Sequence, residues 1–455
     1  MNTAAIVLAA GAGTRMKSKK PKVAHEILGK PLVRWVVDAA REAGADRIVS
    51  VVGHAREIVE PLVSDTEVVV QKAQRGTADA VLTCKEALAG FDGSLLVLSG
   101  DCPLITPDTI RELADMRARS NAAVVVLTME LDDPFGYGRI IRDGEGRVER
   151  IVEQKDANAA EAAVTECNSG FYCFDAQALF EALEQVGCDN AQGEFYLTDA
   201  LKEAKAFGKV GAFAAPDPLS VEGVNDRVQL AALAKAHNMR VCEHWMRAGV
   251  TILDPQTTWI EDDVRIEADA VILPGCFLQG NTSIGAEAQI GPYTTLIDAT
   301  VDAQAHVERS RVQDTHIGRA ATIGPWTYLR PGNEIGEEAK AGAFVEMKKA
   351  HIGRGTKVPH LSYVGDADLG EHTNIGGGTI TANYDGVHKH HTTIGSGAHI
   401  GAGNLFVAPV TVGDHVTSGA GSVIRHEVPD DAMVYSENTQ HNVEHWKPAW
   451  ERETA

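Results

Sequence analysis

The string Leu8-Ala9-Ala10-Gly11-Ala12-Gly13-Thr14-Arg15-Met16 follows an apolar run, and Arg15, Lys17, Lys19, Lys20 and Lys22 crowd behind it. Glycines at the end of a strand let backbone N–H groups approach phosphate oxygens closely. Cations this dense repel one another unless anions join them. The pattern suits a polyphosphate, and its alternative is a solvated basic loop. A Rossmann fingerprint would want a third glycine where Met16 stands, and a P-loop would want Gly-Lys-Ser/Thr. Asp101, in Ser99-Gly100-Asp101-Cys102-Pro103, follows another apolar run. A carboxylate there can hold Mg²⁺, a hard cation that prefers oxygen ligands, or can cap the next turn.

A second group of reactive types lies far downstream. His360 stands in His360-Leu361-Ser362-Tyr363-Val364-Gly365-Asp366, shortly after Glu346-Met347-Lys348-Lys349. An imidazole with a pKa of about 6.5 can take a proton at neutral pH, as an attacking amine requires. Against that stands a corner histidine of no function, since His360 is one of 17. The trio His388, His390 and His391 invites a metal, but solvated polar filler on a loop is the better reading of it.

Three segments must position these groups. Over 1–225, continuous apolar runs (Ala4–Ala10 region, 47–52, 94–98) alternate with amphipathic stretches at 33–43 and 77–89. That alternation predicts an α/β domain around a mostly parallel, Rossmann-like sheet. Over 226–248, Asp226 as N-cap, apolar Val228, Leu230, Ala231, Ala234, Met239, Val241 and Trp245, and a stop at Gly249 predict one linker helix. Over 249–455, aliphatics recur every sixth residue: Ile266, Ile272, Leu278, Ile284, Ile290, Leu296, then Ile317, Ile323, Leu329, Ile335, then Ile394, Ile400, Phe406, Val412. Period six is the signature of hexapeptide repeats, hence a parallel β-helix with glycine or small polar residues at tight corners. The period breaks between Ile380 and Ile394.

Composition narrows the partners. The chain has 455 residues and a formal charge of −21, which disfavours nucleic acid and anionic membranes. No apolar run reaches spanning length, so membrane insertion is not expected. Seven scattered cysteines without CxxC spacing, and no basic n-region ahead of the first strand, point to a reducing, cytoplasmic setting. Small anionic substrates remain, gathered by the cations near residue 20.

The order of these segments, with Leu-Ala-Ala-Gly-x-Gly-Thr-Arg-Met…Pro-Lys at 8–22 and His-Leu-x-Tyr-x-Gly-Asp at 360–366, closely resembles one family over essentially the whole chain. It is the bacterial bifunctional N-acetylglucosamine-1-phosphate uridylyltransferase / glucosamine-1-phosphate acetyltransferase. The resemblance implies a nucleotidyltransferase domain in front and a left-handed β-helix behind, assembled as a homotrimer. It implies that Leu8, Ala9, Gly11 and Gly13 wrap UTP, with Arg15 and Lys22 as catalytic cations, and that Gln71, Gly76 and Thr77 read uracil. Gly138, Glu153, Asn168 and Asn225 would hold N-acetylglucosamine 1-phosphate, and Asp101 with Asn225 would hold Mg²⁺.

For the rear domain the resemblance implies His360 as general base in acetyl transfer from acetyl-CoA. Arg330, Lys348, Tyr363 and Asn374 would meet glucosamine 1-phosphate. Gly377, Asn383, Tyr384, Ala402, Ala420 and Glu437 would meet acetyl-CoA. Glu437 departs from relatives that carry Arg there, and an acid repels phosphate; Arg425 and Lys447 are the nearby cations that could substitute. Two other readings stand beside this one: a sugar-1-phosphate nucleotidyltransferase with a purely structural or regulatory β-helix, and a catalytically dead scaffold or sensor.

Overall fold

A computed structural model describes residues 2–437 and 439–452. The chain divides into two compact units, 1–237 and 238–455. Among the described residues no helix is long and apolar enough to cross a membrane.

The first unit is built on a mixed sheet. Its strands lie in the order Val210–Ala214, Val124–Glu130, Glu166–Asp175, Ser94–Ser99, Thr3–Ala9, Arg47–Val52, Glu67–Val70. Thr3–Ala9 pairs in parallel with Ser94–Ser99 on one side and Arg47–Val52 on the other. Glu166–Asp175 runs antiparallel between Ser94–Ser99 and Val124–Glu130, and carries the hairpin Arg139–Arg142/Val148–Val152. The central strand is apolar throughout because both of its faces are covered. Ala4 and Ile6 join one core cluster, while Ala5, Val7 and Ala9 join the other. The expected helices form, with one shortened: Leu32–Glu42 matches, but Thr77–Leu82 gives way to turns before residue 89.

The helix Arg227–Arg247 begins as expected, with the Asp226 carboxylate accepting from the Val228 and Gln229 N–H groups. Its packed stripe differs from the expected one. Val228 is 78% exposed, whereas Leu233 and Cys242 are buried. Leu230, Leu233 and Ala234 pack in the first unit, and Val241, Cys242 and Trp245 in the second. Asn238, a polar residue fully buried on this stripe, donates to the Thr258 carbonyl and accepts from the Ile260 N–H. A polar side chain is tolerated there because both ends are satisfied.

The second unit is a parallel β-helix, the coiled arrangement expected of the left-handed class. Val271 pairs with Gln289, and Phe277 with Thr295, each three hexads later. Inward side chains therefore stack in columns, for example Leu278, Leu296, Val312, Leu329, Met347 and Val364. Every aliphatic of the hexad pattern lies in this one core. The phase shift after Leu296 is explained by Val301, Val307 and Val312, which fill the same columns from shorter sides. At the break, Ile380 is 44% exposed and Thr381 points inward instead, its hydroxyl bonded to the Gly365 N–H and carbonyl.

The glycines divide between two roles: Gly275, Gly355, Gly378 and Gly397 take left-handed corners as expected, whereas others lie where coils meet. Gly336 does not need a positive φ; a Cβ there would lie 2.7 Å from the Ile352 carbonyl oxygen of the next coil. Close approach between coils, rather than turn strain, excludes a side chain. Small polar residues such as Asp298, Asp314 and Asp366 take further left-handed corners, as expected, and so do larger ones such as Lys349.

Candidate functional site

In the first unit, the carboxyl ends of the parallel strands surround a cavity of about 340 Å³ lined by Leu8, Gly11, Lys22, Gln71, Gly76, Thr77 and Asp101, among others. This is where open α/β sheets place ligands. Strand alternation decides which loop residues face it: Leu8 does, whereas the Ala9 side chain sits in the core below. Gly13 is at φ +60°, and a Cβ there would lie 2.5 Å from the Lys22 Cβ, so the loop can close over Lys22 only as glycine. Lys22 opens a short turn, Lys22–Ala24, that aims its ammonium at the strand end.

That ammonium contacts the Asp101 carboxylate and lies 3.4 Å from the Asn225 amide oxygen. Arg15 donates to the same Asn225 oxygen at 2.8 Å. The Val224 N–H donates to the Asp101 carbonyl, which ties the two segments together. Two oxygen donors thus point at one cation position. Among the described residues no cluster of three His, Cys, Asp or Glu side chains converges on a metal position. Asp101 and Asn225 fit Mg²⁺, which keeps waters and takes phosphate oxygens for the rest of its shell.

Gly138, Glu153 and Asn168 also converge. A Cβ on Gly138 would lie 3.5 Å from the Glu153 Oε1 and 3.6 Å from the Asn168 Cβ. The Asn168 N–H donates to the Gly138 carbonyl, and its amide donates to the Tyr172 hydroxyl. Burial holds the Glu153 carboxyl above the usual range, offset in part by the Thr198 hydroxyl. Such a carboxyl can accept from sugar hydroxyls with little competition from water.

In the second unit His360 is exposed at the end of the strand Lys357–His360. Gly377 packs on it, since a Cβ there would lie 3.3 Å from the His360 Cβ. Above, the Gly378 N–H donates to the His360 carbonyl, the Gly403 N–H to Gly377, and the Gly421 N–H to Ala402. His360, Gly377, Ala402 and Ala420 therefore form one column on successive coils, with small residues leaving open surface beside the imidazole. On the neighbouring face, Lys348 pairs in register with Gly365, and Arg330 donates to Glu346 at 3.0 Å. The Tyr363 hydroxyl lies over Gly365, and Asn383 donates to it and to Asp366. Asn374 lies on the His360 face rather than the Tyr363 face, in register with Lys357 and His399.

The loop at the break carries Tyr384, 55% exposed, with the Lys389 ammonium 4.4 Å above its ring. Its histidines are not free filler: His390 pairs with Asp385 at 2.7 Å and His391 with Asp368 at 2.9 Å. Donation from the His388 backbone N–H, and then the hydrogen bond with the His390 ring, holds the Asp385 carboxyl well below its usual range. Glu437 is exposed just after Ser436, whose hydroxyl accepts from the Val423 N–H.

Residues 5–204 match the model of the MobA-like NTP transferase domain. The bifunctional protein GlmU of Bifidobacterium adolescentis is 68% identical over 99% of both chains, and that of Bifidobacterium animalis subsp. lactis 65% over 99% of both. GlmU of Corynebacterium efficiens is 50% identical over 98% of this chain and 93% of its own. The chain belongs to the GlmU family of bifunctional proteins.

Several residues at the first cavity and around it carry no signal in the sequence. Gln74 lines it and donates to the Ala10 carbonyl at 2.6 Å, while Ser99 and Glu194 complete the wall. Arg139, 2% exposed, donates to the Tyr137 carbonyl and to Gln154, bracing the segment that carries Gly138. A buried guanidinium needs several acceptors; Arg139 in Gly136-Tyr137-Gly138-Arg139 gave little sign of them because two of the three lie at 154 and 162.

Proposed function

We propose that the chain makes UDP-N-acetylglucosamine in two steps, at the two sites described. The reading is carried by the meeting of Lys22, Arg15, Asp101 and Asn225 beside the cavity that holds Gln71. There an oxygen of N-acetylglucosamine 1-phosphate attacks the α-phosphorus of UTP, and the bond to pyrophosphate breaks. Two anions must be brought together, so positioned cations do most of the work. Lys22 and Arg15 hold phosphate oxygens and offset the charge that grows on the leaving group. Mg²⁺, held by Asp101 and Asn225, would add charge neutralisation when bound. Glu153, Gly138 and Asn168 orient the sugar.

The other step takes place on the β-helix. His360 accepts a proton from the ammonium of glucosamine 1-phosphate, the nitrogen bonds to the acetyl carbon of acetyl-CoA, and the C–S bond breaks to release coenzyme A. Arg330 and Lys348 meet the sugar phosphate, and Tyr363 and Asn374 the sugar. Asn383, Tyr384, Gly377, Ala402 and Ala420 flank the coenzyme. Glu437 repels its phosphates, which leaves Arg425 or Lys447 to meet them.

The working form is a cytoplasmic homotrimer. Tyr293, Trp326, Phe344 and Leu361 lie at left-handed corners along one edge, each more than half exposed; Arg309 takes the corner between the first two and lies over the Tyr293 ring, and the Trp326 and Phe344 rings stack at 5.2 Å. An exposed apolar ridge of this kind marks an interface, and it ends beside His360.

The test is a pair of assays on the purified protein: thiol release from acetyl-CoA with glucosamine 1-phosphate, and pyrophosphate release from UTP with N-acetylglucosamine 1-phosphate and Mg²⁺. Both products are expected. Pyrophosphate without thiol would reduce the β-helix to a structural or regulatory part.

A further inference from the structure

Asp79 is 9% exposed and lies beneath the floor of the first cavity, on the helix Thr77–Leu82. Its Oδ2 accepts from the Gln71 Nε2 at 2.9 Å, and its Oδ1 accepts from Arg75 at 2.7 Å. The same Gln71 nitrogen donates to the Gly76 carbonyl at 3.1 Å. Both neighbours of that end of the amide can only accept, so the nitrogen must sit there and the oxygen cannot. Both amide hydrogens are used, and no described group donates to Oε1. Gln71 is 6% exposed and lines the cavity, so Oε1 is the amide atom left to meet a ligand.

We propose that Asp79, gripped by Arg75, is a positioning residue that locks Gln71 as a hydrogen-bond acceptor and thereby sets the choice of nucleobase. The proposal rests on the reading of this cavity as the UTP site. Uracil carries an N3–H that an acceptor can meet; cytosine carries a lone pair at N3 that the same acceptor repels. A free glutamine could turn over and serve either base. The carboxylate removes that freedom, because a reversed amide would set two acceptors against each other in a buried place. Arg75 holds Oδ1 and so leaves Oδ2 turned toward the amide.

The experiment measures kcat/KM for UTP and for CTP, at saturating N-acetylglucosamine 1-phosphate and Mg²⁺, in the full-length protein and two variants. Asp79→Asn replaces an accept-only group by one that can also donate, so the UTP/CTP ratio should fall about tenfold. Arg75→Ala, at a solvent-facing side chain, should lower it in the same direction by less. A purely structural role would lower both nucleotides together and leave the ratio unchanged, and that result in folded Asp79→Asn overturns the proposal. If Asp79→Asn does not fold, an unchanged ratio in Arg75→Ala overturns it. Wild-type protein that turns over neither nucleotide would instead refute the reading of the cavity itself.

Discussion

The two units gather their functional groups in opposite ways. In the α/β unit, Lys22 and Asn225 stand 203 positions apart and meet around one ammonium at the sheet's edge. In the β-helix, His360, Gly377, Ala402 and Ala420 are spaced by single coils and line up on an exposed flank. Sheet topology converges distant loops into a hollow within one chain. A coil repeats one position along a line and leaves it open on one flank; in the proposed trimer a second copy would supply the wall.

The largest test of this contrast is to disable each site alone. Lys22→Ala or Asp101→Ala should lower uridylyl transfer by about 10³-fold, because electrostatic groups dominate such sites. Acetyl transfer by the same preparation should stay near normal. His360→Ala should do the reverse, losing about 10²–10⁴-fold of acetyl transfer. A folded variant that loses both activities would break the two-site account.

Next in size is a probe of the column itself. Phe406 is fully buried, in register between Thr381 and Ile424 above the break. Phe406→Ala should cost about 3–5 kcal/mol of β-helix stability. Calorimetry would show it as a lowered transition, with uridylyl transfer retained at moderate temperature. A matching loss of uridylyl transfer would mean that the units do not act separately.

The repeat was legible in the sequence because a period of six admits few other structures, and every predicted aliphatic proved to be core. The sites were less so. Lys22 and Asp101 could be picked out by type and by place after a strand, but their partnership is a product of folding. Gln74, Arg139 and the Asp79–Gln71 lock were illegible because each matters through a backbone carbonyl or amide whose position no spacing reveals. Thr381 misled for a related reason: the aliphatic Ile380 beside it looked like the inward residue, but a hydroxyl with two backbone partners can be buried at little cost. In the helix Arg227–Arg247, Val228 misled because propensity says nothing of which face finds a neighbour.

The smallest test concerns pH. His316 lies between Asp302 and Glu334, at 2.9 Å from each. Burial lowers its affinity for a proton, but hydrogen bonds to the two carboxylates outweigh this and raise its pKa. The sandwich therefore stabilises the coil fully below about pH 6.5, the free imidazole value, and fades as pH rises through the higher folded value. Half-exposed pairs are screened, so the effect should be at most about 1 kcal/mol. His316→Gln should flatten that slope in melting curves between pH 6 and 8; an unaltered slope would assign it to other groups.

The glycine that presses on the next coil sets how such a prism can change over time. A Cβ at Gly318, Gly336 or Gly353 would strike the backbone one storey up. Extra chain can therefore leave the shaft only at other corners, as the 383–391 loop does where Asp366 turned in the storey below. The shaft can lengthen by whole storeys, each bringing its own glycine, but its girth is fixed, and new chemistry must be hung on the outside.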